Sequence, residues 1–181
     1  MDKASLRLAV RAKLSSLTDE ERRKKSSAIA KNLLSLPEFE AAEKLFLYIP
    51  LKSEPDISEL AKAASEAGKS VAYPKISGEK MDFFVSRDFE KSALGVYEPV
   101  GGYKVPPDGK TLVIVPALAF RRDGYRLGRG GGFYDRFLQD FRGFSVGAAF
   151  SFSILNDGDF DAEAHDVPVM ITVTEDGIFR H

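Results

Sequence analysis

Apolar residues recur along this chain at two different spacings. Leu6, Val10 and Leu14 stand four apart, which places them on one face of a helix. The segment TDEE puts Thr18 three residues before Glu21, the spacing of a capping box. It opens a second helix that presents Ile29, Leu33 and Leu36 and stops near Pro37. The spacing then changes. KLFLYIP (Lys44–Pro50) is short, apolar and aromatic, and reads as a buried strand. DISELAKAASEAG (Asp56–Gly68) returns to helical spacing, with Gly68 as the residue just past the helix end. SVAYP (Ser70–Pro74) and KMDFFVS read as strands, and PVGGYKVPPDGK as a loop. TLVIVPALAF (Thr111–Phe120) is a continuous apolar run, as in strands covered on both faces. FYDRFLQDF (Phe133–Phe141) is helical in pattern, and FSVGAAF (Phe144–Phe150) and VMITVT (Val169–Thr174) are further strands.

Strands alternating with helices predict an α/β domain with a doubly wound, largely parallel sheet. The 181 residues suit one such domain, with no internal repeat and no linker, so the expectation is a single domain over 1–181. Hydrophobic residues make up 44% and charged residues 29%, a globular composition. The net charge of −1 gives no general attraction to nucleic acid or to an anionic membrane, so recognition of an anion must be local. With no cysteine, disulfides, thiolate catalysis and cysteine-ligated zinc are excluded. The charged start MDKASLRLAVRAKLSSLTDEERRKK does not resemble a signal peptide, and no apolar run approaches the ~20 residues of a membrane span. These features predict a cytoplasmic protein.

The local exception in charge is RLGRGGGFYDR (Arg126–Arg136). Residues 121–136 hold five arginines (Arg121, Arg122, Arg126, Arg129, Arg136) against two aspartates (Asp123, Asp135), a balance of +3. The stretch follows a central-looking strand and enters a helix, the position where open α/β sheets bind ligands. Glycines there allow close backbone approach, and a helix start turns N–H groups toward an anion. It is neither Gly-x-x-x-x-Gly-Lys-[Ser/Thr] nor Gly-x-Gly-x-x-Gly, because position 133 is Phe. Spacing alone therefore supports phosphate binding without naming the phosphate.

Read whole, VPALAFRRDGYRLGRGGGFYDRFL (Val115–Leu138) resembles the signature of the 5-formyltetrahydrofolate cyclo-ligase family. KASLR (Lys3–Arg7), YIPLKSEPDISEL, GVYEP (Gly95–Pro99) and HDVPV (His165–Val169) resemble its other landmarks in the right order. Ala117, Arg121 and Phe133 stand where glycine, aspartate and tyrosine are common, and Phe133 lacks the phenolic hydroxyl. The resemblance implies a three-layer α/β sandwich similar to the fold of sugar-phosphate isomerases and coenzyme A transferase-like proteins. It implies ATP- and Mg²⁺-dependent closure of 5-formyltetrahydrofolate, polyglutamylated or not, to 5,10-methenyltetrahydrofolate by a monomer.

Carried over residue by residue, the resemblance assigns Lys3, Arg7, Arg126, Leu127, Gly128, Arg129, Gly130, Gly131, Gly132, Phe133 and Tyr134 to ATP. It assigns Ile49, Glu54 and Tyr134 to the folate, Asp135 and Asp166 to Mg²⁺, and Arg129 and Asp135 to catalysis. Each has a plainer reading. Lys3 and Arg7 are also an ordinary cationic helix face, Asp135 a first-turn acid favoured by the helix dipole, and Glu54 the acid before the helix near Asp56. Tyr48, Tyr73 and Phe120 are candidates to line a pterin pocket, or are core. His165 is expected to be structural or to support the adjacent Asp166, and His181 to be solvated. An isomerase or transferase on a similar frame would need the anion loop without Lys3, Arg7 or a magnesium site. A non-catalytic nucleotide or folate binder would need no pair of aspartates.

Overall fold

The computed structural model describes residues 2–181. Helix α1 (Lys3–Ser15) starts where the Asp2 carboxylate accepts the N–H groups of Ala4 and Ser5, each at 3.0 Å. Such a cap satisfies donors that have no partner within the helix. Leu6, Val10 and Leu14 are buried, as their spacing requires. The capping box forms as well. Glu21 N–H donates to the Thr18 hydroxyl at 3.2 Å, Thr18 N–H donates to the Glu21 carboxylate at 2.8 Å, and α2 (Asp19–Leu34) follows. α2 stops at Leu34, near the expected Pro37. Pro37 itself lies in the first turn of α3 (Pro37–Ala41), where its missing N–H costs nothing, and Leu36 is a buried cap residue rather than part of α2.

The strands assemble around β1 (Lys44–Phe46), which is shorter than the expected 44–50. After β1 come α4 (Ser58–Glu66), with Gly68 past its end as expected, and β2 (Ser70–Ser77), three residues longer than expected. Next are β3 (Lys80–Val85), β4 (Asp88–Lys91), β5 (Tyr97–Val100) and β6 (Tyr103–Lys104). The segment read as one loop at 99–110 thus contains the end of β5 and all of β6. Then follow β7 (Thr111–Pro116), β8 (Ala119–Arg121), β9 (Arg126–Leu127), α5 (Phe133–Gln139), β10 (Phe144–Ala148), β11 (Ile154–Leu155), β12 (Ile171–Thr174) and β13 (Gly177–Arg180).

The main sheet runs β13-β12-β10-β7-β1-β2-β3-β6. Its five central strands are mutually parallel, and the flanking strands are antiparallel. Alternation along β1 and β7 divides the core. Leu45, Leu112 and Ile114 pack with the apolar faces of α1, α2 and α4, whereas Phe46, Val113 and Val115 pack with α5 and β3. On that second face Phe46 stacks on Phe83 at 4.3 Å, and Phe137 of α5 lies 5.1 Å from Phe83. Helices on both faces make the three layers.

The run Thr111–Phe120 is not one strand. Pro116 closes β7 because it has no N–H for the ladder, and Leu118 N–H instead donates to Leu127 in β9 at 3.0 Å. β8 therefore joins β9 and β11 in a small second sheet, and the glycine loop leaves from β9 rather than from the central strand. The winding reverses between β1 and β7. From β1 the chain moves outward to β2, and from β7 it moves the other way to β10 and β12. The carboxyl ends of β1 and β7 thus part over a crevice, the usual place for a ligand in such sheets. No helix among the described residues is long and apolar enough to cross a membrane.

Candidate functional site

A cleft of about 610 Å³ opens at this reversal, within the size range of small-molecule sites. One wall follows β1: Tyr48, Ile49, Leu51 and Glu54. The facing wall follows β9: Arg126 through Asp135. Lys3 and Arg7 of α1 and Asp166 of the C-terminal loop close one end. Leu94, Val96, Tyr97 and Glu98 of the β4–β5 hairpin also line the cleft. Every residue that the sequence assigns to ATP, folate or metal therefore lines one cleft, though they come from four separated segments.

The glycine loop is shaped by its backbone. Gly130 at φ +109° and Gly132 at φ +64° lie where a side chain is strained, and Gly132 caps α5 in the left-handed conformation. Arg7 Nε donates to the Gly128 carbonyl at 2.9 Å, tying the loop to α1. α5 has only seven residues, so the loop amides and nearby cations must supply most of any anion binding.

Arg126 is oriented inward. Its side chain is 4% exposed, and its guanidinium donates to the Asp135 carboxylate and to the Val167 carbonyl (2.6 Å). Burial pulls its pKa down, while the Asp135 and Asp166 carboxylates oppose that. Asp135 also accepts the Val167 N–H at 3.2 Å, so one carboxylate organises both Arg126 and the chain beside Asp166. Arg129 instead crosses the cleft. Its guanidinium donates to the buried Glu54 carboxylate at 3.1 Å and to the Ser53 hydroxyl at 2.7 Å. The second oxygen of Glu54 accepts the Leu51 N–H at 2.9 Å.

Lys3 reaches Glu163 at 2.7 Å and Asp166 at 3.3 Å. Burial opposes the Lys3 charge, but the two carboxylates outweigh it and raise the pKa. Burial likewise works against the Asp166 charge, and the Glu163 N–H together with Lys3 holds its pKa below the ordinary value. Tyr48 donates to the Pro55 carbonyl at 2.8 Å, and burial raises its pKa well above that of a free phenol. The same cause raises Tyr134, so both remain protonated at neutral pH.

A metal ion would find two carboxylates here, each with one oxygen already engaged by protein donors. Among the described residues no three His, Asp or Glu side chains converge to hold a metal. This donor set fits Mg²⁺ that arrives on a polyphosphate and keeps phosphate and water ligands. It does not fit an all-protein cage.

Three aromatic candidates separate in the structure. Tyr48 lines the cleft, Tyr73 makes an edge contact with Phe89 at 5.3 Å, and Phe120 lies fully buried in the core. His165 lies at the rim, 3.6 Å from Asp166. His181 is not simply solvated. Its ring meets the Thr172 hydroxyl at 2.9 Å, packs against Gly124, and has its pKa lowered by burial. Two polar partners of site residues escaped the sequence reading: Glu163 in the cleft, which pairs with Lys3, and Ser53 beside it, which pairs with Arg129. Nothing in their local sequence signals either role.

Comparison with known proteins follows the same lines. Residues 1–175 match the 5-formyltetrahydrofolate cyclo-ligase family. The chain is 38% identical to the NMR structure of Aquifex aeolicus 5,10-methenyltetrahydrofolate synthetase, with a TM-score of 0.86 over 98% of this chain and 92% of that one. It is 28% identical to a probable 5-formyltetrahydrofolate cyclo-ligase of Schizosaccharomyces pombe, over 100% of this chain and 98% of that protein. It is 25% identical to the 5-formyltetrahydrofolate cyclo-ligase of Escherichia coli, over 94% of this chain and 99% of that protein.

Proposed function

Because the chain belongs to the 5-formyltetrahydrofolate cyclo-ligase family, we propose that it closes 5-formyltetrahydrofolate to 5,10-methenyltetrahydrofolate with ATP as co-substrate. The two-sided cleft carries this reading. A glycine loop with cations faces a wall of Tyr48, Ile49 and the buried carboxylate of Glu54, so an anionic and a flat, N–H-bearing ligand can lie side by side.

The loop Gly128–Gly132, with Leu127, Phe133 and Tyr134 beside it, receives the phosphates, and Arg129, Lys3 and Arg7 balance their charge. Arg126 lies beneath this surface and holds Asp135 in place. Ile49, Glu54 and Tyr134 receive the folate, with Glu54 accepting from the pterin N–H edge. Asp135 and Asp166 would hold Mg²⁺, which supplies charge neutralisation at the phosphate oxygens when bound.

The formyl oxygen on N5 attacks the γ-phosphorus of ATP, and the bond to ADP breaks. The formyl carbon, now carrying a phosphate ester and double-bonded to N5, is electrophilic. The N10 lone pair attacks that carbon, the carbon–oxygen bond to phosphate breaks, and the N10 proton is lost. An amide oxygen is a weak nucleophile, so the chain contributes alignment and fixed positive charge more than proton transfer.

The test is optical. Protein incubated with the active stereoisomer of folinate and Mg-ATP should develop the near-ultraviolet absorbance of the methenyl product. No ATP-dependent rise refutes the proposal.

A further inference from the structure

The ion pair between Arg129 and Glu54 joins the two sides of the cleft, and each side has been given a different ligand. Glu54 is 5% exposed, and neither of its oxygens is idle: one accepts from Arg129, the other from Leu51 N–H. Arg129 is 38% exposed, and the Ser53 hydroxyl fixes its Nη2 from the Glu54 side at 2.7 Å. The guanidinium thus holds the carboxylate that the folate needs, and the carboxylate holds the cation that the phosphates need.

We infer that Arg129, Glu54 and Ser53 form a clasp that couples nucleotide binding to folate binding. The inference rests on the functional reading above and concerns the regulation of that same cleft. A folate bound alone must draw Glu54 away from Arg129, leaving a guanidinium without its carboxylate. A nucleotide bound alone draws Arg129 toward its phosphates and leaves a buried carboxylate uncompensated, which is unfavourable. With both ligands present neither group is stranded, because phosphate oxygens replace Glu54 and pterin N–H groups replace Arg129. The exchange is complete only in the ternary complex, so each ligand favours the other. Linkage makes the two effects equal. The clasp also suits the chemistry, since folate without nucleotide and nucleotide without folate are both unproductive.

The flanking glycines make the exchange feasible. Arg129 lies between Gly128 and Gly130, whose backbone can turn the side chain from one wall toward the loop without moving β9 or α5. Ser53 serves only the closed clasp. It touches Arg129 and lies outside the surface assigned to either ligand.

Calorimetric titration of the intact protein with folinate, with and without saturating Mg²⁺ and the β,γ-imido analogue of ATP, tests the coupling. The analogue should tighten folinate binding about tenfold, which is ~1.4 kcal/mol, and folinate should tighten the analogue by the same factor. Arg129→Ala, measured at analogue concentrations raised to saturation, should bring that factor to within about twofold of unity. Ser53→Ala should tighten folinate roughly threefold in the absence of nucleotide and leave its affinity in the ternary complex unchanged. If both ligands bind but independently, or if the coupling survives Arg129→Ala, the clasp is wrong and the proposed function stands. If neither ligand binds, both fall.

Discussion

Asp135 has two candidate roles, as a ligand for Mg²⁺ and as the counter-ion of a buried arginine, and the second can be measured with no ligand present. The Arg126 side chain is 4% exposed and that of Asp135 is 18% exposed. Removing one member of a buried pair costs ~3–5 kcal/mol, because the other is left charged without compensation. The partial exposure of Asp135 favours the lower end, so Asp135→Ala should destabilise by about 3 kcal/mol. For a chain of this length each kcal/mol lowers Tm by ~2–4 °C, so the variant should melt roughly 6–12 °C early. Total stabilities of ~5–15 kcal/mol leave it folded at room temperature.

Arg126→Met should cost less, about 1–2 kcal/mol, because Asp135 keeps the Val167 N–H and some solvent. The double variant strands no charge, so it should be less damaged than the two single losses added together, with a coupling of about 2 kcal/mol. Urea unfolding at neutral pH with an unchanged slope gives all three values. Additive losses, or an Asp135→Ala variant within ~1 kcal/mol of the parent, would refute the buried-pair account. Asp135→Asn then isolates the other role. It keeps an acceptor for Arg126, so it should weaken use of Mg-ATP far more than folate binding. Equal loss of both would mean the metal is assigned wrongly.

Two further outcomes follow from the packing. Lys3 has a raised pKa, so its stabilising contribution is full below its ordinary value of 10.5 and fades as pH rises through the folded value. Asp166 has a lowered pKa, so its contribution is full above its ordinary value of 3.8 and fades as pH falls through the folded value. The stability gap between the parent and Lys3→Gln should therefore stay constant at intermediate pH and shrink at both extremes, as read by urea unfolding; a gap independent of pH throughout would contradict the attachment of α1 through this cluster. At the core, a Cβ at Gly147 would meet the Phe120 ring at 2.5 Å. Gly147→Ala should thus cost ~1–3 kcal/mol by overpacking and regain part of it with Phe120→Leu, and a calorimetric loss below 0.5 kcal/mol would count against this packing.

The elements were most legible where local rules and burial agree. Leu6, Val10 and Leu14, and the Thr18–Glu21 capping box, fix α1 and α2 from within one or two turns. Legibility failed where the deciding partner is distant. Thr111–Phe120 reads as one apolar run, but after Pro116 the chain pairs with β9, a hairpin whose one local sign is the Asp123-Gly124 turn, with Gly124 at φ +87°. Pro37 carries the same ambiguity in small form, since a proline that can end one helix can equally begin the next. The edge strands β6 and β13 are short and largely exposed, so they lack the apolar alternation that would reveal them.

The candidate residues can be named from the sequence and share one cleft, but the distribution of charge among them cannot be read there. The +3 excess over residues 121–136 suggests several cations waiting for an anion, but the fold has already matched most of them. Arg121 is held by Asp123 at 3.0 Å and by the Phe160 carbonyl at 2.7 Å. Arg126 is held by Asp135 and Val167, and Arg136 donates to the carbonyls of Glu79 and Gly131 at 3.0 and 2.9 Å. Within that stretch only Arg129 both lines the cleft and reaches its far wall, and its present partner lies 75 residues away. The cations that join it come from Lys3 and Arg7, more than 120 residues upstream of the loop they serve. On the proposed function, selectivity for an anion here depends on exchanging existing partners rather than on surplus charge. A ligand must offer Arg129 more than Glu54 does. Several phosphate oxygens, with a metal to spread their charge, offer more than a single carboxylate can.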